Sequence, residues 1–291
     1  MRESAAAVPA RPLRGLVASY QGFREAGVPP GRHLGLPSPY LTMIFTLDDL
    51  LTVAGDLDPL TAPTSYRTLV GGLHTAPVLV THEGRQSGIQ ISVSPLAARA
   101  LFGLPAGELA GVDVTAVDVL GPAAAELHER IGAAGNWPER FAICNRLLAA
   151  RAAARPAAGT AAPEVAQAWR LIGSSGGTAS VGALASETGW SSRHLRSRFL
   201  AETGLTPKAA CRVTRFHRAR RLLQQRSCAG APLDLAGLAA QTGFSDQAHL
   251  AREFRDLAGC SPSAWLAAEG FTGSDSSKPA RPGHGNNGHH D

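Results

Sequence analysis

The spacing of apolar positions changes about halfway along the chain. Between residues 41 and 93 they come in short runs (LTMIFTL, LLTVAG, SYRTLVGGL) parted by Asp, Gly and Pro. In THEGRQSGIQISVSP the second arm sets Ile89, Ile91 and Val93 against Gln90 and Ser92, the two-residue period of a half-buried strand, and predicts a hairpin. Pro95 then opens a helix, PLAARALFG. After VDVTAVDVLG, two more helices are predicted over 122–134 and 138–153, each with proline in its first turn. From about 165 to 268 the pattern is helical throughout.

This pattern predicts an α+β chain. A β-rich barrel- or sandwich-like domain with trailing helices spans 15–153, and an all-α domain spans 165–268. Residues 154–164 read as an Ala/Pro linker. Residues 1–14 and 269–291 read as disordered from their Pro/Ala/Arg-rich and Gly/Asn/Pro-rich compositions. In the trailing helices Leu127, Ile131, Phe141 and Leu148 line up as an apolar seam. Two readings stay open for it: a homodimer contact, or packing on the chain's own sheet.

The helical half contains a repeat. LASETGWSSRHLRSRFLAETGLTP can be laid over LAAQTGFSDQAHLAREFRDLAGCSP at an offset of 54, then 55 after a one-residue insertion. Leu184 matches Leu238, Ala185 Ala239, Gly189 Gly243, Trp190 Phe244 and Ser191 Ser245. Beyond the insertion Leu195 matches Leu250 and Phe199 Phe254. Each copy predicts a short helix, a glycine turn at positive φ, an aromatic corner and a second helix with Ser191 or Ser245 as its cap. That is a helix-turn-helix, whose second helix suits the major groove of DNA. Its motif core comprises Ala185, Gly189, Leu195, Phe199, Ala239, Gly243, Leu250 and Phe254. On a helical wheel the outward positions are Arg193, His194, Arg196 and Ser197 in the first copy and Gln247, Ala248, His249 and Arg252 in the second. These are the base-contact candidates, since Arg grips guanine, Gln adenine, and Ala a thymine methyl. The plain alternative for each is a solvated surface side chain. Ser191, Arg198, Arg212, Arg215, Arg218 and Ser245 are candidates for phosphate contacts, which position rather than specify.

Between the copies, TPKAACRVTRFHRARRLLQQR predicts a long helix capped by Thr206 and opened by Pro207. Its apolar stripe is Ala209, Val213, Phe216 and Leu223, and Lys208, Arg212, Arg215 and Arg218 lie opposite. Two recognition helices on one face of DNA need successive major grooves, about 34 Å apart, and therefore a rigid connector or bent DNA.

Charge agrees with this division. The formal net charge is +5, and none of it belongs to the first 155 residues, which carry 13 basic and 13 acidic side chains. Residues 156–270 carry 13 and 8, with ten basic residues and one acid between Arg193 and Arg226. Such a block suits a polyanionic partner.

With these motifs in hand, residues 166–268 resemble the DNA-binding domain of the AraC/XylS family of bacterial transcription regulators. The family's second-motif signature stands here as GFSDQAHLAREFRDLAGCSP, with Ala248 for the usual Ser and Leu250 for the usual Phe. The first-motif pattern stands as ASETGWSSRHLRSRF, with the usual basic position shifted by one at Ser197 and Arg198. HLGLPSPYLTMIFTLDDLL resembles, more loosely, a strand of some of the family's N-terminal domains. The resemblance implies a sequence-specific regulator acting on double-stranded promoter DNA. It also implies an N-terminal domain that senses a small-molecule effector or forms a homodimer, and RNA polymerase as a further partner.

Other motifs point to no further chemistry. GSSGG at 173–177 matches the Gly-x-Ser-x-Gly nucleophile elbow, which needs a strand before it and a helix after it, but it stands ahead of the first repeat copy in an Ala/Gly-rich stretch and reads as a loop. The four cysteines form no Cys-x-x-Cys, and Cys144 lies among apolar residues. His33, His74 and His82 have no metal-ligand spacing, and His284, His289 and His290 lie in the polar tail. No catalytic residue, metal or cofactor is expected. No apolar run reaches the roughly 18 residues of a membrane span, and the N-terminus lacks a signal peptide's apolar stretch, so a cytoplasmic location without membrane contact is expected. Two alternatives stand beside the regulator: an enzymatic or ligand-modified N-terminal domain fused to a DNA-binding module, and a helical protein-interaction module.

Overall fold

A computed structural model describes residues 2–54, 62–155 and 160–269. Among the described residues its N-terminal part holds ten strands in two antiparallel sheets, and these do not close into a barrel. The larger sheet has the order β1 (Arg2–Ala7), β2 (Val17–Ala26), β9 (Arg85–Val93), β4 (Leu41–Thr46), β7 (Thr68–Gly71) and β10 (Asp113–Thr115). The smaller has the order β3 (Gly31–Gly35), β8 (Val78–His82), β5 (Leu51–Ala54) and β6 (Thr64–Tyr66).

Register explains which side chains are inside. Ile91 lies opposite both Tyr20 and Met43, and Ile89 lies opposite Phe45. The alternation of β9 therefore stacks these side chains on one face, and all five are fully buried. The short helices α1 (Ala98–Phe102) and α2 (Ala116–Leu120) follow, then α3 (Ala123–Ala133) and α4 (Trp137–Ala154). Phe141 of α4 stacks on Tyr20 at 6.0 Å, and the Tyr20 hydroxyl donates to Asn145. Leu127, Ile131, Phe141 and Leu148 are buried against this core. The apolar seam of α3 and α4 is thus used within the chain, packed on its own sheet. Cys144 is buried too, and burial raises its thiol to about 12.

The disorder expected for residues 1–14 is overturned. All six residues of β1 pair with β2, the Arg2 guanidinium bonds Glu25, and Leu13 is buried in a one-turn helix over Arg11–Leu13. Backbone pairing and one anchoring leucine hold this stretch, and neither registers in an alanine-rich composition. In the linker, α4 runs on to Ala154, and 156–159 lie outside the described residues. So do residues 270–291, including His284, His289 and His290.

The C-terminal part is wholly helical: α5 (Pro163–Ser174), α6 (Val181–Thr188), α7 (Ser192–Thr203), α8 (Pro207–Cys228), α9 (Leu235–Thr242), α10 (Gln247–Ala258) and α11 (Pro262–Ala268). No helix among the described residues is long and apolar enough to cross a membrane. The two parts meet along α7, where Arg99 of α1 bonds Glu202 through contacts of 2.9, 3.1 and 3.0 Å.

Candidate nucleic-acid interface

The two repeat copies fold alike. Helices α6 and α9 end at Gly189 and Gly243, both left-handed at φ +70° and +80°. Only glycine adopts that conformation without strain, so the chain reverses there. Leu184, Ala185, Leu195 and Phe199 fill the corner of the first unit, and Leu238, Ala239, Leu250 and Phe254 that of the second. Thr188 and Thr242 have buried hydroxyls, which donate to the carbonyls of Leu184 and Leu238.

The caps of the two second helices differ. Ser191 caps α7, its Oγ accepting the His194 N–H at 3.3 Å. On α10 the cap is Asp246, not Ser245: its carboxylate accepts the His249 N–H at 2.7 Å. The inserted residue moves the helix start forward by one, and Asp is as good a cap as Ser. The His249 N–H holds the Asp246 carboxyl below the usual carboxylate range.

Freed from capping, Ser245 takes another role. Its hydroxyl lies 3.1 Å from His249 Nδ1, and its backbone N–H also points at that nitrogen, at 3.4 Å. Nδ1 is therefore the acceptor and the ring proton sits on Nε2. Phe244 meets the same imidazole edge-on at 5.2 Å, as Trp190 meets His194 at 4.5 Å. Each aromatic corner thus orients the histidine on the first turn of its recognition helix. The pairing is legible in the sequence as an aromatic and a histidine at matched offsets.

The outward faces carry the remaining candidates. Arg193, His194, Arg196, Ser197 and Arg198 are exposed on α7, as are Gln247, Ala248 and Arg252 on α10, with His249 half-buried. The basic face of α8 is less free than its wheel suggests. Arg212 bonds Glu253 at 2.7 Å and Asp256 at 2.5 Å, both on α10, which ties it into the protein and removes it from the free cations. Arg215 lies over the Phe244 ring at 5.0 Å. Arg218 is exposed, as are Ser191 and Ser245. Phe216 packs edge-on against Phe254 at 4.9 Å, so α8 and α10 are joined by both a salt bridge and an aromatic contact.

The GSSGG segment is a packing loop. Ser175 follows the end of α5, and its hydroxyl donates to the Ile172 carbonyl. At Gly177 an added Cβ would stand 2.2 Å from the Cys211 carbonyl, so the glycine lets the loop lie on the backbone of α8. Among the described residues no group of three or more His, Cys, Asp or Glu could hold a metal ion. His33 and His82 alone approach each other, ring centroids 6.4 Å apart.

Known proteins share these features. A family described as a helix-turn-helix domain matches residues 184–268. An uncharacterised HTH-type transcriptional regulator of Bacillus subtilis strain 168, YbfI, is 41% identical over 63 residues, covering 22% of this chain. The match spans only 21% of that relative's length. Among solved structures, an apo variant of ToxT from Vibrio cholerae strain SCE256 covers 86% of this chain and 97% of its own, at TM-score 0.54 and 8% identity. ToxT of Vibrio cholerae O395 covers 94% and 98%, at TM-score 0.50 and 11% identity. The same protein bound to a methylnaphthalenyl butenoic acid covers 92% and 98%, at TM-score 0.50 and 10% identity. At these identities the likeness is one of fold: a β-rich N-terminal part followed by a double helix-turn-helix.

Proposed function

We propose, from the premise that residues 184–268 are an AraC-type double helix-turn-helix domain, that the protein is a sequence-specific transcription regulator that reads promoter DNA in the bacterial cytoplasm. The observation that carries this reading is the duplication itself. Two recognition helices, each capped and each bearing exposed Arg on its outer face, are braced against one connector. That connector, α8, has 22 residues and is about 33 Å long, close to the pitch that separates successive major grooves. Arg193, Arg196 and Arg252 are assigned to base edges together with His194, Ser197, Gln247, Ala248 and His249. Arg198, Ser191 and Ser245 are assigned to phosphates, while Arg218 turns to a cleft beside α5.

The N-terminal part senses an effector in this reading. ToxT, which shares the fold, has been solved with a small organic acid bound, and this supports an effector role for the same architecture here. Catalysis forms no part of the proposal, and RNA polymerase is its downstream partner. Gel-shift titration against the region upstream of the protein's own gene, at two salt concentrations, tests the reading. Binding should weaken steeply as salt rises, because phosphate neutralisation releases counterions. Salt-insensitive binding, or none, would sink it.

A further inference from the structure

A cleft of about 440 Å³ opens between the two parts of the chain. Its N-terminal wall is Pro39 and Tyr40, in the turn ahead of β4. The Ser38 hydroxyl fixes that turn by donating to the Tyr40 carbonyl at 3.0 Å. The opposite walls come from α5 and α8, and Gln241 of α9 closes one end. Tyr40 reaches α8 directly, its ring edge-on to His217 at 5.8 Å.

Two observations give the cleft a chemistry. Trp169 and Ile172 of α5 and Leu222 of α8 give the cleft an apolar lining. Arg218 and Arg221, one turn apart on α8, both line it, no acidic side chain does, and neither arginine has an ion-pair partner among the described residues. The volume falls within the usual range for small-molecule sites. Among the described residues, the sheet core of the N-terminal part is filled. Tyr20, Met43, Phe45, Ile89 and Ile91 fill it, and the opening by Phe23 and His82 is about 10 Å³, room for one water at most.

We infer that this cleft binds a small organic anion with a flat apolar body, its charge on Arg218 and Arg221 and its body between Tyr40 and the Trp169, Ile172 and Leu222 wall. The inference rests on the effector reading above and moves the effector site from the N-terminal domain to the seam. A bare phosphate would leave the apolar lining unused, and a neutral ligand would leave Arg218 and Arg221 without a counter-charge. The position has a consequence for DNA reading. The cleft is lined by α8, the connector that sets the spacing of both recognition helices, so an occupant bears on that spacing.

The full-length protein is titrated with anilinonaphthalene sulfonate, followed by emission and by heat of binding, in the absence of DNA. Saturable binding of one probe per chain is expected. Arg221→Ala, which lies outside the proposed DNA contacts, should weaken it roughly tenfold or more, the loss of one charge-assisted bond. Gly173→Leu should abolish it, because nothing lies within 4 Å of an added Cβ at this cleft-lining position and the new side chain would fill the space. Neutral phenylnaphthylamine should bind roughly tenfold or more weakly, for want of the same charge. Circular dichroism and melting temperature establish that both variants are folded; if Gly173→Leu is not, Arg221→Ala and the neutral probe decide. Absence of saturable binding, wild-type affinity in a folded variant, equal affinity for the neutral probe, or displacement by inorganic phosphate would each overturn the site. Without DNA in the titration, such a failure leaves the regulator reading standing, and the gel-shift experiment judges that reading on its own.

Discussion

Arg99 and Glu202 form a forked salt bridge between α1 of the N-terminal part and the last turn of the first recognition helix. Glu202 is buried, and the guanidinium is the group that compensates its charge. Arg99→Ala leaves that carboxylate without a partner and should cost about 1–3 kcal/mol of stability, while Glu202→Gln, which keeps a hydrogen-bond acceptor, should cost less. Urea denaturation of the two single variants and the double variant measures the coupling. Additive effects would show that the bridge contributes nothing.

A second contact on the same seam depends on shape instead of charge. At Gly107 an added Cβ would stand 2.1 Å from the Ala201 carbonyl on α7. Gly107→Ala should therefore loosen the seam although it touches no charge, and faster hydrogen exchange across the 105–111 turn and the end of α7 is the expected signature. Unchanged exchange in both would show that the close approach is dispensable.

The recognition surface can be tested apart from stability. Arg193 and Arg252 are exposed and have no ion-pair partner among the described residues, so truncating either should leave the melting temperature unchanged. Each Ala variant should lose about 1–3 kcal/mol of DNA affinity, with relaxed preference at one base pair. Arg212→Ala should behave in the opposite way. It breaks the bonds to Glu253 and Asp256, so stability falls first and DNA affinity only as a consequence. Gel shifts paired with thermal melts separate the two patterns.

The repeat was readable in the sequence because its landmarks are chemically obligatory. Gly189 and Gly243 are needed for a left-handed turn, and Leu195, Phe199, Leu250 and Phe254 recur at core spacing. Ser245 and Asp246 are adjacent and both good caps, and only the start of α10 chooses Asp246. The N-terminal strands were harder. The register of β2 shifts between Val17 and Ser19, which breaks its two-residue period, and β1 is held by backbone bonds that any sequence can make. An apolar stripe such as Leu127, Ile131, Phe141 and Leu148 shows that a face is covered, and the sheet beneath it supplies the cover. The cleft was not legible at all, since Tyr40 and Arg221 are brought together only by the docking of two domains.

Asp246 offers a test of how the second recognition helix is set. Its carboxylate holds the His249 N–H, so Asp246→Ala frees the first turn and loosens His249 from Ser245, while Asp246→Asn keeps an acceptor. DNA affinity should fall in the Ala variant and be largely retained by Asn. The folded carboxyl is below its unfolded value, so its contribution is fully present above the unfolded pKa of about 3.9 and is lost as pH falls through the lower folded value. At neutral pH the cap is therefore insensitive to acid. Equal DNA binding by the Ala and wild-type proteins would remove Asp246 from the account.

His217 responds to pH with the same sign, in a higher window. Burial, followed by the neighbouring charges of Arg220 and Arg221, pushes its imidazole down to about 3. It is neutral in the fold, with Nδ1 facing the Arg220 guanidinium at 3.4 Å and its ring under Tyr40. In the unfolded chain the same group protonates near pH ~6.5. Between these values the unfolded state binds the extra proton, so stability rises with pH across the window and is lost as pH falls from about 6.5 toward 3. The slope from this one group is at most about 1.4 kcal/mol per pH unit. His217→Leu removes the group and should flatten the wild-type profile by up to that amount across this window, with no change above pH ~7, where neither state is protonated. Urea midpoints measured from pH 4 to pH 8 read the difference directly (roughly the range in which a histidine dominates the titration). Parallel profiles for the two proteins would mean that His217 is open to water and that the Tyr40 contact does not seal the seam.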